Sequence, residues 1–200
     1  MKKILFLFFA LFLSLNVMSQ QDSEGYFDIT QKDNGITLRH IQTPDKVIRK
    51  KAIVIPKEYD TNIYVSYYNI LTSETRRNGV KKVQYKIGFA IEDNIDFSII
   101  KNNRLLIKLK NGQTITLKTA ADIHARYLSD GKYHASPSYP ITIQQLNSII
   151  KTGATKFRIE TQVRNLDIEP DFNVAEVTNE FKKGLYDRLN NKKDPFTSDF

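Results

Sequence analysis

The chain has 200 residues, 40% of them hydrophobic, with 30 Lys and Arg against 22 Asp and Glu and a formal net charge of +8. It contains no cysteine, which excludes disulfides, zinc–thiolate centres, thiol nucleophiles and the lipid attachment of a bacterial lipoprotein. The basic pairs and triplets (Arg49-Lys50-Lys51, Arg76-Arg77, Lys81-Lys82, Lys182-Lys183 and Lys192-Lys193) are scattered and form no aromatic-interleaved module, so they read as solvated surface and not as a nucleic-acid site.

Lys2 and Lys3 precede a run from Ile4 to Leu15 that is apolar except for Ser14. As a helix this run covers about 18 Å of a hydrocarbon core about 30 Å thick, which is short for a span and right for a signal-peptide core. Val17 and Ser19 then place small residues at the −3 and −1 positions of a cut before Gln20. We therefore expect residues 1–19 to be an export signal, 20–191 a single globular β-rich domain and 192–200 a flexible tail. Loss of Lys2 and Lys3 leaves a net charge of +6. No later run is long and apolar enough to cross a bilayer. The expected product is exported and soluble, periplasmic or secreted, and not a lipoprotein.

From Tyr26 to Lys118 the apolar period is two. Phe27 to Thr30 and Ile36 to Gln42 flank Asp33-Asn34-Gly35, a hairpin turn. Val47 to Ile55 forms a strand ending at Pro56, and Ile63 to Leu71 is rich in β-branched and tyrosine side chains. Tyr59, Tyr64, Tyr67 and Tyr68 read as cross-strand packing. Between Val83 and Ile91 the odd-numbered positions are apolar, a strand with one wet face, and Ile95, Phe97 and Ile99 repeat the pattern briefly. Leu105, Ile107 and Leu109 lead to Asn111-Gly112 and then to Ile115 and Leu117, which predicts a hairpin over 104–118 closed by a two-residue type I′ turn.

Residues 121–139, with Gly131 and Pro137, break this alternation and predict a long loop with at most a short strand. Loops carry binding more often than packing, so Tyr127, Tyr133 and Tyr139 are the candidate contact surface. Thr142 and Gln145 then form a capping box, Ile141 and Leu146 a hydrophobic staple, and Gly153 a stop, predicting a helix over 143–152. Phe157, Ile159, Thr161 and Val163 alternate with charged residues as a further strand. Asn173 and Glu176 repeat the capping pair, and Val174, Val177, Phe181, Leu185 and Leu189 stripe a second helix over 174–190. Gly184 inside it costs about 1 kcal/mol relative to alanine. The fold class expected is α+β and β-rich: an antiparallel sheet or sandwich from residues 26–118 and 155–163, with two C-terminal amphipathic helices.

Chemistry-bearing residues are sparse. His40, His124 and His134 are the only histidines, and neither the His-Glu-x-x-His nor the Gly-x-Ser-x-Gly pattern occurs. His124 and His134 sit near Asp122 and Asp130, but a Gly/Pro/Ser-rich loop is a poor frame for ligands near 2 Å from an ion, so no metal is expected there. Asp167-Ile168-Glu169-Pro170-Asp171 begins like a calcium loop, then puts Phe172 where glycine is required and Thr178 where glutamate is. Glu92, Asp93 and Asp96 read as solvated acids at a turn. No catalytic residue, cofactor or metal is assigned. The expected function is an exported binding protein of the bacterial cell envelope, contacting an unknown protein or an anionic surface polymer. The alternative is a carboxylate-dependent hydrolase acting on envelope or dietary polymers.

Overall fold

The computed structural model describes residues 18–21, 24–33, 35–55, 64–162 and 164–190. Residues 1–17, most of the expected export signal, lie outside these, as do Asn34, Tyr59, Val163 and the expected tail, and the side chains of Tyr64 and Tyr67.

The alternating segments build two main antiparallel sheets. The larger has nine strands. Its spine is a long hairpin of β6 (Tyr64–Arg77) and β7 (Val80–Asp93). β6 is long enough for two partners on its other edge: β3 (Ile36–Gln42) lies against residues 71–77 and β4 (Lys46–Lys51) against residues 64–68. β7 is shared in the same way, by β13 (Tyr133–Ala135) and β14 (Ser138–Ile141). β2 (Phe27–Asp33) pairs with β3, and β1 (Met18–Gln21) with β2, so the expected Ser19–Gln20 cut falls inside a strand. β12 (Arg126–Tyr127) closes the far edge.

The second sheet has the order β10 (Thr114–Lys118), β9 (Arg104–Leu109), β15 (Ala154–Glu160), β16 (Asn165–Ile168) and β5 (Ile53–Ile55). The segment read as one strand from Val47 to Ile55 is therefore two, with buried Ala52 where the chain passes from one sheet to the other. A two-stranded ribbon of β8 (Ser98–Ile99) and β11 (Ile123–His124) completes the β-structure. The fold is α+β and β-rich, as expected. The 121–139 segment differs from expectation: it is β11 to β14, not a long loop. Each of these strands has only two to four residues, too few for an alternating pattern to emerge; β11 pairs onto β8, β13 and β14 onto β7, and β12 onto β13.

Turn chemistry explains the two main hairpins. The 104–118 hairpin forms, but not through a two-residue turn. Gly112 N–H donates to Leu109 O at 3.0 Å and Leu109 N–H to Gln113 O at 2.8 Å, and Gly112 has a φ of 86°. That is a type I turn followed by one left-handed residue in a three-residue loop. The two-residue connection with both φ positive occurs instead at Asn78-Gly79, at 48° and 77°, between β6 and β7.

Both helices begin where their caps predict. α1 (Ile143–Thr152) has its complete capping box, with Gln145 N–H to Thr142 Oγ1 at 3.2 Å and Thr142 N–H to Gln145 Oε1 at 3.0 Å, and Gly153 ends it at φ 78°. α2 (Val174–Asn190) buries Val174, Val177, Phe181, Leu185 and Leu189. Its Thr178 joins the same buried stripe because its hydroxyl hydrogen-bonds Tyr68 Oη at 2.9 Å. At the C-terminal end of α2, Arg39 Nη1 donates to Arg188 O at 2.9 Å and Lys81 Nζ to Leu189 O at 3.4 Å. These sheet cations meet the negative end of the helix dipole.

Gly184 has a packing reason. A Cβ there would run into the Tyr26 hydroxyl and lie 2.6 Å from its Cζ, while the guanidinium carbon of Arg188 sits 3.5 Å from the Tyr26 ring centroid. The helix gives up propensity so that Tyr26 can pass. Gly184→Ala is accordingly expected to destabilise by about 1–3 kcal/mol, the cost of overpacking, despite alanine's higher helix propensity. In chemical denaturation, Gly184→Ala in a Tyr26→Leu background should cost less than in the parent chain. Additive losses would show that Tyr26 is not the cause.

The two sheets are also tied by an ion pair between Asp93, at the end of β7, and Arg164, between β15 and β16; both side chains are buried. Removing one partner of such a pair leaves an uncompensated buried charge and typically costs about 3–5 kcal/mol. Asp93→Ala should lower stability by that order in urea titrations, and Asp93→Leu with Arg164→Met should recover most of the loss.

Candidate contact surface

The candidate surface is built on the outer edge of the nine-stranded sheet. Tyr127 of β12 stands opposite Tyr133 of β13, and Arg126 opposite His134. Between them Leu128 N–H donates to Lys132 O at 2.6 Å and Gly131 N–H to Leu128 O at 3.1 Å. Gly131 takes a φ of 83°, and Asp130 pairs with Lys132 at 3.2 Å. The hydrogen bond from Lys132 holds the exposed Asp130 carboxyl below its ordinary value. The tyrosine rings meet edge to face at 5.3 Å between centroids. This leaves Tyr127 66% exposed, with Leu128 exposed beside it.

The hairpin is well anchored. Tyr133 pairs with Asp93, His134 with Glu92 and Ala135 with Ile91, so it rests on the strand end that Asp93 ties to Arg164. β12 pairs with no further strand among the described residues. The surface thus combines an apolar pair, Tyr127 and Leu128, with the exposed cations Arg126 and Lys132 and an open backbone edge.

Of the three tyrosines expected to share this surface, Tyr127 and half-buried Tyr133 do so. Tyr139 does not. It is fully buried in the core opposite Ile87, because the alternation of β14 turns Tyr139 and Ile141 inward and leaves Pro140 exposed. Burial raises its phenol well above the ordinary tyrosine value. Sequence reasoning missed Leu128 and the hairpin itself, although Asp130-Gly131 between two tyrosines was the available signal.

The histidines are dispersed. His40 Nδ1 bonds Ser73 Oγ, His124 Nδ1 bonds Ser98 Oγ, and His134 Nε2 bonds Ser136 Oγ, each at 2.9 Å. Partial burial, reinforced by nearby Lys86, holds His40 below the ordinary imidazole value. His124 lies in the two-stranded ribbon and His134 in the nine-stranded sheet. Among the described residues no group of three His, Cys, Asp or Glu side chains is placed to hold a metal ion.

Several acids of the sheets are matched to cations. Arg158 Nε donates to Asp167 Oδ1 at 2.6 Å, and Lys156 meets Glu169 at 3.0 Å. Arg104 Nε donates to Glu160 Oε1 at 2.8 Å and its backbone N–H to Oε2 at 3.0 Å. The Arg104 hydrogen bonds keep Glu160 below the usual carboxyl value. Burial pushes Glu74 up, but hydrogen bonds from Lys81 and Arg76 outweigh it and the net displacement is also downward. A glycosidase acid needs the opposite displacement to hold its proton near neutral pH.

The sign for stability follows from linkage. A carboxyl with a lowered folded-state pKa contributes fully above its unfolded value of 4.5 and loses that contribution as pH falls through the folded value. The melting temperature should therefore fall on acidification from about pH 5 to about pH 3. Arg104→Gln should flatten that fall by removing the Glu160 share, and an unchanged acid slope would contradict the assignment. Comparison of the chain with protein-family models, curated proteins and solved structures finds no match.

Proposed function

We propose that this is an exported, non-enzymatic binding protein of the bacterial cell envelope that contacts a partner protein or an anionic surface polymer through the 126–134 hairpin. The observation that carries the reading is Tyr127, two-thirds exposed on a hairpin anchored to a buried ion pair. Large aromatic side chains held rigidly at the surface are the residues that dominate recognition, because they bury much area for little conformational entropy. Arg126 and Lys132 add positive charge at the rim, in keeping with the basic balance of the chain. The downward displacement of Glu74 and Glu160 supports binding over hydrolysis, since cation-paired acids whose ionised form is favoured make poor proton donors near neutral pH.

The test is retention of purified protein on isolated bacterial envelope fragments. Tyr127→Ala combined with Leu128→Ser is expected to weaken retention at least tenfold without lowering the melting temperature, since both side chains are exposed. Tyr186→Ala, exposed on α2, serves as the neutral control. Retention unaffected by the double substitution, or no retention of the parent chain, overturns the proposal.

A further inference from the structure

The opposite end of the nine-stranded sheet carries a concentration of cations that the 126–134 hairpin does not use, although one of them, Lys81, also reaches Leu189 O of α2. Around the Asn78-Gly79 turn the last rungs pair Arg77 with Val80, Arg76 with Lys81 and Thr75 with Lys82. Like charges directly opposed across a ladder are destabilising. Glu74 meets both Arg76 and Lys81, yet one carboxylate offsets only one of them. On the other face Arg77 and Lys82 are exposed and have no ion pair among the described residues. The β2–β3 turn ends level with this one, since Ile36 pairs with Arg77, and it adds exposed Lys32 to the row of Arg76 through Thr37 and exposed Asp33 to the row of Arg77 through Ile36. Val80 projects from the tip and is 69% exposed.

Cations on both faces, with an apolar residue at the end, constrain what can be bound. A linear polyanion lying along one face would meet Arg77 and Lys82, or Arg76 and Lys81, but not both sets. A flat anionic surface met end-on reaches all four, and Val80 then passes the charged layer into the apolar boundary beneath it. We propose that the β6–β7 tip, residues 76–82, docks end-on to a phosphate-rich lipid surface. This site is separate from the 126–134 hairpin and stands or falls independently of it.

The chain has no tryptophan, so Val80→Trp places a single indole at the tip of the full chain. With vesicles of three parts phosphatidylcholine to one part phosphatidylglycerol, its emission is expected to shift to the blue, and with phosphatidylcholine alone to stay unchanged. High salt should reverse the shift. Adding Arg77→Gln and Lys82→Gln should weaken vesicle binding about 25-fold, because each cation beside an anionic leaflet contributes about fivefold. Tyr186→Trp in the parent chain, on the exposed side of α2, should show no shift. The proposal is overturned if the tip indole does not shift with anionic vesicles, shifts equally with neutral ones, or binds as tightly without Arg77 and Lys82. An equal shift at position 186 also overturns it. Salt-sensitive binding of soluble polyphosphate with no vesicle shift would assign the tip to a free polyanion instead.

Discussion

The Tyr68 ring is the contact on which the layers depend. It lies 5.7 Å from Phe89 in its own sheet, 5.8 Å from Phe157 in the second sheet, and 5.9 and 6.2 Å from Phe172 and Phe181 beside and within α2. No other described ring meets as many partners. A buried phenol must also satisfy its hydroxyl, and Thr178 Oγ1 does so at 2.9 Å. Burial pushes the phenol up to about 12 despite that bond, so it stays neutral. Two sheets and a helix thus converge on one side chain, with geometry set by ring packing and one hydrogen bond.

Around this apolar centre, charge does structural work at the periphery. Asp93 and Arg164 join the end of β7 to the β15–β16 connection. Arg39, held by Asp28 through its Nε at 2.9 Å, reaches the last turn of α2. Arg104 and Glu160, opposite ends of neighbouring strands, hold the second sheet in register. Among these acids, the hydrogen bonds from Arg104 hold Glu160 below the usual carboxyl value. The large sheet is left with exposed Tyr127 at one end and exposed Arg77 and Lys82 at the other.

The sequence was most readable where a local signal was complete. Thr142 with Gln145, and the apolar stripe from Val174 to Leu189, mark both helices to the residue. It was least readable where a tertiary partner decides. The Asn78-Gly79 turn is flanked by Arg76, Arg77, Lys81 and Lys82, so the apolar alternation that would have announced the longest hairpin stops short of it. At Asn111-Gly112 the dipeptide is the same, but the ladder through Leu109 and Gln113 makes the loop three residues long. Tyr139 sits among Ser and Pro residues that suggest a surface, while the period of two along β14 turns it into the core. Gly184 lowers the helix propensity of α2, and its reason, the Tyr26 ring packed against it, lies 158 residues away in the chain.

The placement of Tyr68 also governs how the chain acquires its structure. Its hydroxyl partner is 110 residues downstream, and β5 pairs with β16, Ile53 standing opposite Asp167. The β6–β7 hairpin can form early from local contacts, but its apolar face stays uncovered until β15 and α2 have been made. Closing such long loops is entropically costly before it is rewarded, and topologies dominated by distant pairings fold slowly. A chain in which β15 and α2 have not yet been made leaves the apolar face of this long hairpin uncovered. A truncation before Phe181 would hold it in that state, open to strand pairing with its own copies.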